Sequence, residues 1–199
     1  MGGFIMDWKL ILRIAVIITL MLLLANSIAG CRKGDDSIID WDDCSQEMGD
    51  HPCNFTLLDQ DGKEFNLYDH HGKIIILDFS AMWCGPCMMA ATEVEDLHKK
   101  YGDNIVYITV LIENQNHNPP TKGDLRKWAQ HFGIESAPVL GGSRDMISSN
   151  TNKGWPLAAW PQFYIIDQNM ILIDGFKGFR RGLIESIIVD NLETDTGSP

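Results

Sequence analysis

Basic residues are scarce in this 199-residue chain: 16 Lys and Arg stand against 27 Asp and Glu, a net charge of −11. That balance excludes nucleic acid as a partner, because phosphate binding needs a cationic surface. No run of five like charges occurs, so there is no acidic or basic tail. Glycine (18) and proline (8) stand at ordinary levels and no internal repeat is visible. Collagen-like, low-complexity and wholly disordered architectures are therefore excluded. The six histidines (51, 70, 71, 98, 117, 131) are scattered, with no HxxxH and only one CxxC, which gives no zinc pattern. What remains is 45% hydrophobic and 22% charged, the composition of one globular domain or at most two small ones.

The N-terminus departs from that composition. Lys9 and Arg13 precede an eleven-residue run, 14–24, that is apolar except for Thr19. Small and polar residues follow, and then Cys31. A basic segment, a short apolar segment and a small-residue site make a secretory signal. The run is short for a spanning helix, which needs about 20 apolar residues. Ile28-Ala29-Gly30-Cys31 resembles a bacterial lipobox, in which the chain is cut before the cysteine and that cysteine is lipidated. An uncleaved anchor over residues 10–30 is the alternative, and both tether the rest of the chain outside the cytoplasm. Myristoylation is excluded, since position 6 is Met6.

Five cysteines would leave an odd thiol in an exported protein. Lipidation of Cys31 leaves two pairs, Cys44/Cys53 and Cys84/Cys87. The first lies in a polar stretch with Gly49 and Pro52 and reads as a structural disulfide, with free thiols or a second redox pair as alternatives.

Residues 32–52 are acidic and patternless, as in a tether. Residues 55–58 and 64–67 flank Asp61-Gly62 as a β-hairpin. Residues 73–79 (KIIILDF) and 105–112 (IVYITVLI) read as buried strands, with one helix over 88–101 between them. Strand, helix and strand form a right-handed parallel crossover. A helix over 124–132 places Leu125, Trp128, Ala129 and Phe132 on one face. Residues 133–155 give no clear pattern. Strands at 163–166 and 170–173 and a final helix at 183–192 complete the chain.

Cys84-Gly85-Pro86-Cys87 falls between a buried strand and a helix. Cysteines three apart close a disulfide when the backbone turns tightly, as in the first turn of a helix. There Cys84 meets unpaired backbone N–H groups and the positive end of the helix dipole, which favour thiolate. Cys87, one turn inward, is the more buried, resolving thiol. Pro86 is tolerated in a first turn.

The stretch from Leu77 to Cys87, LDFSAMWCGPC, resembles the active-site strand and turn of the thioredoxin superfamily. The fuller likeness, over about 52–192, is to TlpA-like, envelope-facing thiol–disulfide oxidoreductases. The resemblance implies an α/β thioredoxin-like fold: a central mixed β-sheet flanked by helices, an N-terminal β-hairpin and a central insertion within 113–155. It divides the chain into a lipoprotein-type signal (1–30), an acidic tether (31–51), the domain (52–192) and a disordered tail (193–199). Asp78 matches the family's buried acid, which relays a proton to or from Cys87. Pro161, not Pro156, matches the cis-proline facing the disulfide, because a strand starts two residues after it. Trp83, Gly85, Pro86 and Trp160 would then border the substrate groove. Ser80 stands where the family often has an aromatic, and Ala90 where some TlpA-like reductases carry a glutamate.

Two classes of function follow. In the first, the chain is an enzyme that exchanges disulfides with protein substrates, with the cysteine pair as its only redox group and no added cofactor. Gly85-Pro86, shared with reducing thioredoxins, points to a reductant fed by a membrane thiol donor; an oxidant or isomerase is the variant. In the second, Cys84 and Cys87 hold a soft metal such as Cu(I), with Met82, Met88 or Met89 as the further ligand.

Overall fold

The computed structural model describes residues 41–195. The signal segment, Cys31 and the first part of the expected tether lie outside the described residues. Among the described residues no helix is long and apolar enough to cross a membrane.

A hairpin comes first, β1 (Thr56–Leu58) against β2 (Glu64–Asn66). Asp59 Oδ1 accepts the backbone N–H groups of Asp61 and Lys63, and Gly62 supplies the positive φ of the turn (82°). A five-stranded sheet follows in the order β5-β4-β3-β6-β7. Its members are β3 (Ile74–Ala81), β4 (Ile105–Glu113), β5 (Val139–Gly141), β6 (Gln162–Ile166) and β7 (Leu172–Lys177). β3, β4 and β5 run parallel, while β6 and β7 are antiparallel to their neighbours, so the sheet is mixed as expected.

Every residue of β3 and β4 is buried. Side chains alternate between faces. Ile74 and Ile76 join the cluster that holds Cys84 and Cys87, with contributions from α1 (Gly85–Ala91), α2 (Val94–Tyr101), α3 (Lys122–Phe132) and α4 (Arg181–Asp195). Ile75, Leu77 and Phe79 meet Phe65, Leu67, Tyr68, Trp155 and Tyr164 on the other face. Each aliphatic side chain so buried contributes about 1.5–3 kcal/mol, which accounts for the unbroken apolar runs in the sequence.

The structure departs from, or adds to, the sequence reading at several places. The single helix over 88–101 is two helices, broken at Thr92 and Glu93. The Thr92 hydroxyl donates to the Met89 carbonyl (2.8 Å) and Glu93 N–H bonds back to Ala90, so both leave the regular helical ladder. Glu93 then pairs with Arg181 of α4. Residues 41–51 are not a free tether. Trp41 stacks on His51 with ring centres 4.3 Å apart, Ser45 and Gln46 are buried, and residues 49 and 50 exchange backbone hydrogen bonds with Leu172. Residues 133–155 contain β5 and a short turn, Arg144–Met146. The last helix continues through Asp195, into the stretch expected as tail.

α3 starts two residues earlier than its apolar spacing predicts. Thr121 and Asp124 form a reciprocal capping box, and Gly133 ends the helix in the left-handed conformation.

Cys44 and Cys53 are joined in a disulfide, nine residues apart, which fixes the N-terminal segment to the domain. Replacing both by serine is expected to lower unfolding free energy by about 2–3 kcal/mol through loss of loop-closure entropy. Urea unfolding midpoints at constant slope check this, and an unchanged midpoint would remove the structural role.

Candidate active site

β3 ends and α1 begins within four residues. Cys84 is the N-cap of α1: its backbone is extended, and its Sγ accepts the N–H of Cys87 at 3.1 Å. Pro86 is accommodated in the first turn, where its missing N–H costs nothing, and the space beside Gly85 is open. Cys84 and Cys87 are joined in a disulfide with Cα atoms 5.2 Å apart. Cys87 is fully buried, while Cys84 keeps 4% exposure. Both cysteines are buried, and of the two only Cys84 retains any exposure.

Asp78 lies on β3, on the same face as Ile74, Ile76 and the cysteine-bearing cluster, and is 1% exposed. Burial pushes its pKa up to about 7, against the opposing pull of the Ser80 hydroxyl and of Tyr107. Ser80 donates to Asp78 Oδ1 at 2.7 Å and is itself fully buried, so a small polar residue fills the position where an aromatic was the family expectation. A buried carboxyl group with a pKa near neutrality can take or give a proton at working pH.

The Trp160–Pro161 peptide is cis. Pro161 immediately precedes β6, whose first residue, Gln162, pairs with Phe79 of β3. Trp160 is half-buried and meets Trp83 edge-on, ring centres 5.9 Å apart. Pro156 sits elsewhere, its carbonyl accepting the Tyr164 hydroxyl.

Sequence reasoning missed a second buried acid. Glu113 closes β4 at 1% exposure, and its carboxylate accepts Trp83 Nε1 at 2.8 Å. His117 Nδ1 lies 3.0 Å from the same oxygen, and Arg144 pairs with the other. Burial works against ionisation of Glu113, but Trp83, His117 and Arg144 outweigh it and hold the pKa below the usual value. A signal was present: Glu113 ends an apolar run much as Asp78 interrupts one.

Met82 and Met88 line a cleft of about 510 Å³ beside the turn, with Trp128, His131 and Phe132. Met89 points outward, 62% exposed. Among the described residues no three His, Cys, Asp or Glu side chains gather as metal ligands.

The profile of the AhpC/TSA family matches residues 48–174. A thioredoxin-like protein, YneN, of Bacillus subtilis is 25% identical over 64% of this chain and 70% of its own. The thiol-disulfide oxidoreductase ResA of Geobacillus kaustophilus is 30% identical over 61% of this chain. That match spans 64% of the ResA chain. Among solved structures, a protein of Chlorobium tepidum named as a thiol:disulfide interchange protein DsbE superposes with a TM-score of 0.60. It is 24% identical and covers 74% of this chain and 99% of its own. The exposed lipoprotein thioredoxin Etrx1 of Streptococcus pneumoniae gives 0.53 at 23% identity, covering 69% and 99%. Both share the thioredoxin-like fold.

The raised pKa of Asp78 has a sign that can be checked. The folded state holds its proton from about pH 4 to about 7 while the unfolded state loses it, so stability falls as pH rises through that window. The penalty approaches ~4 kcal/mol above pH 7, taking 1.36 kcal/mol per unit. Asp78→Asn is therefore expected to unfold at higher denaturant than the parent at pH 8, with the advantage fading towards pH 4. Equal pH dependence in both proteins would contradict this.

Proposed function

This chain belongs to the AhpC/TSA family and carries the site of a thiol–disulfide oxidoreductase; from that premise we propose that it works outside the cytoplasm, tethered to a membrane, as a reductant of protein disulfides. The observation that carries the reading is the inequality of the two sulfurs. Cys84 caps α1 and keeps 4% exposure, and Cys87 is fully buried in the same cluster, on the face that holds Asp78.

The Cys84 thiolate attacks one sulfur of a substrate disulfide, forming a mixed disulfide and expelling the other substrate sulfur as a thiolate, which takes up a proton. Cys87 then loses its proton to the Asp78 carboxylate and attacks Cys84 Sγ. That closes the Cys84–Cys87 disulfide and releases the second substrate sulfur, which is protonated in turn. Two electrons pass from the pair to the substrate, and the observed disulfide is the product state. Pro161 and Trp160, just before β6, present the backbone along which an extended substrate segment would lie. The cysteine pair is the only redox group this cycle needs.

The location rests on the signal segment and Ile28-Ala29-Gly30-Cys31, and on the Cys44–Cys53 disulfide, which belongs to an oxidising compartment. A reductant there has no soluble cytoplasmic supply of electrons, so its disulfide is returned to dithiol by a membrane thiol donor. Lipid on Cys31 would keep the domain beside that donor.

Cys87→Ser in the full chain is expected to accumulate mixed disulfides through Cys84, visible as heavier bands that vanish with reductant and in Cys84→Ser. Cys31→Ala should release the domain from the membrane fraction. Absence of trapped species under conditions where Cys84 is alkylatable would contradict the exchange reading.

A further inference from the structure

Gly142 follows β5 and passes against β4. Its N–H bonds to the Leu111 carbonyl at 2.9 Å, and a Cβ there would sit 2.7 Å from Val110 Cγ1 and 2.9 Å from Ile112 Cδ1. Only glycine allows that approach without a shift of β4 side chains. The close pass delivers the turn Arg144–Met146, capped by the Ser143 hydroxyl, to the end of β4. Arg144, with its side chain 68% exposed, there meets a Glu113 carboxylate that is 1% exposed.

The position of Glu113 creates an electrostatic problem for the site. Its carboxylate bonds the indole of Trp83, the residue directly before Cys84, and its backbone carbonyl accepts Met82 N–H at 2.9 Å. Gln115 Nε2 adds a further bond to the Met82 carbonyl (2.5 Å). An unbalanced anion held this close would oppose formation of the Cys84 thiolate. His117 touches the same carboxylate and the Trp83 ring, centres 4.9 Å apart, but an imidazole carries charge only when protonated. Arg144 is charged at every working pH.

Building on the exchange reading above, we propose that Arg144 is a positioning residue for the reaction: its guanidinium balances the Glu113 carboxylate, so that Glu113 can hold Trp83 beside Cys84 without opposing the thiolate. The segment after β5, which contributes no atom to the disulfide, thereby sets the acidity of the attacking thiol.

The test is a charge cycle on the full chain, reduced, with Cys84 alkylation by iodoacetamide followed against pH and assigned to Cys84 by mass spectrometry. Arg144→Met leaves the buried anion uncompensated and is expected to raise the Cys84 pKa by ~0.5 unit, about a threefold slower reaction below it. Glu113→Gln leaves the cation and is expected to lower the pKa by a similar amount. The double variant should return close to the parent. Repeating the series in a His117→Gln background removes the third partner of the carboxylate and should preserve both signs. General loosening of the site would move both single variants in the same direction, and that result, or no shift in either, overturns the proposal. Because alkylation reads the acidity of one thiol and no turnover, failure here leaves the exchange reading standing. Failure of exchange would show instead in the trapping experiment.

Discussion

The turn from β3 into α1 depends on β3 being covered on both faces. Because Ile74 to Phe79 are buried in two apolar clusters, the strand cannot slip, and its last residues deliver Cys84 to the first turn of α1. The same burial makes Asp78 costly to ionise, which turns an ordinary carboxylate into a group that exchanges a proton near neutrality. Stability and chemistry therefore draw on one feature. The apolar cover that fixes the strand also tunes the acid and hides Cys87.

Two buried acids on β3 and β4 differ in their partners. Asp78 is buried on the face of β3 that packs with the cysteine-bearing cluster, has Ser80 and Tyr107 to favour its charged form, and keeps its proton up to about pH 7. Glu113 has a Trp indole, a His and an Arg around it and stays ionised. The contrast follows from the partners, since both carboxylates are 1% exposed. One group is suited to moving a proton and the other to holding a side chain in place.

Much of this was legible from residue order. The run before Asp78 announced a strand covered on both sides, and the Cys84–Cys87 spacing announced the helix turn. The strand two residues beyond Pro161 separated it from Pro156, and the structure has a cis bond at Pro161. What was not legible depended on contacts distant in sequence. Residues 41–51 lack periodicity because they are held by backbone bonds to Leu172 and by a disulfide, neither of which leaves an apolar pattern. The break at Thr92 and Glu93 arises from a hydroxyl bond and a partner on α4, in a stretch whose composition suits a continuous helix. Arg144 lies in a segment without pattern, and its role is visible only once Gly142 brings it to β4.

The account stands on Cys84 and Cys87 forming a reversible couple that donates electrons. Its most direct test is the reduction potential of that couple, obtained by equilibrating the protein against thioredoxin and glutathione buffers and quantifying the two redox forms. The account predicts a value near or below about −270 mV, in the range of thioredoxin. A value of about −120 to −180 mV would mark an oxidant or isomerase. The absence of any reversible couple would contradict the exchange chemistry itself.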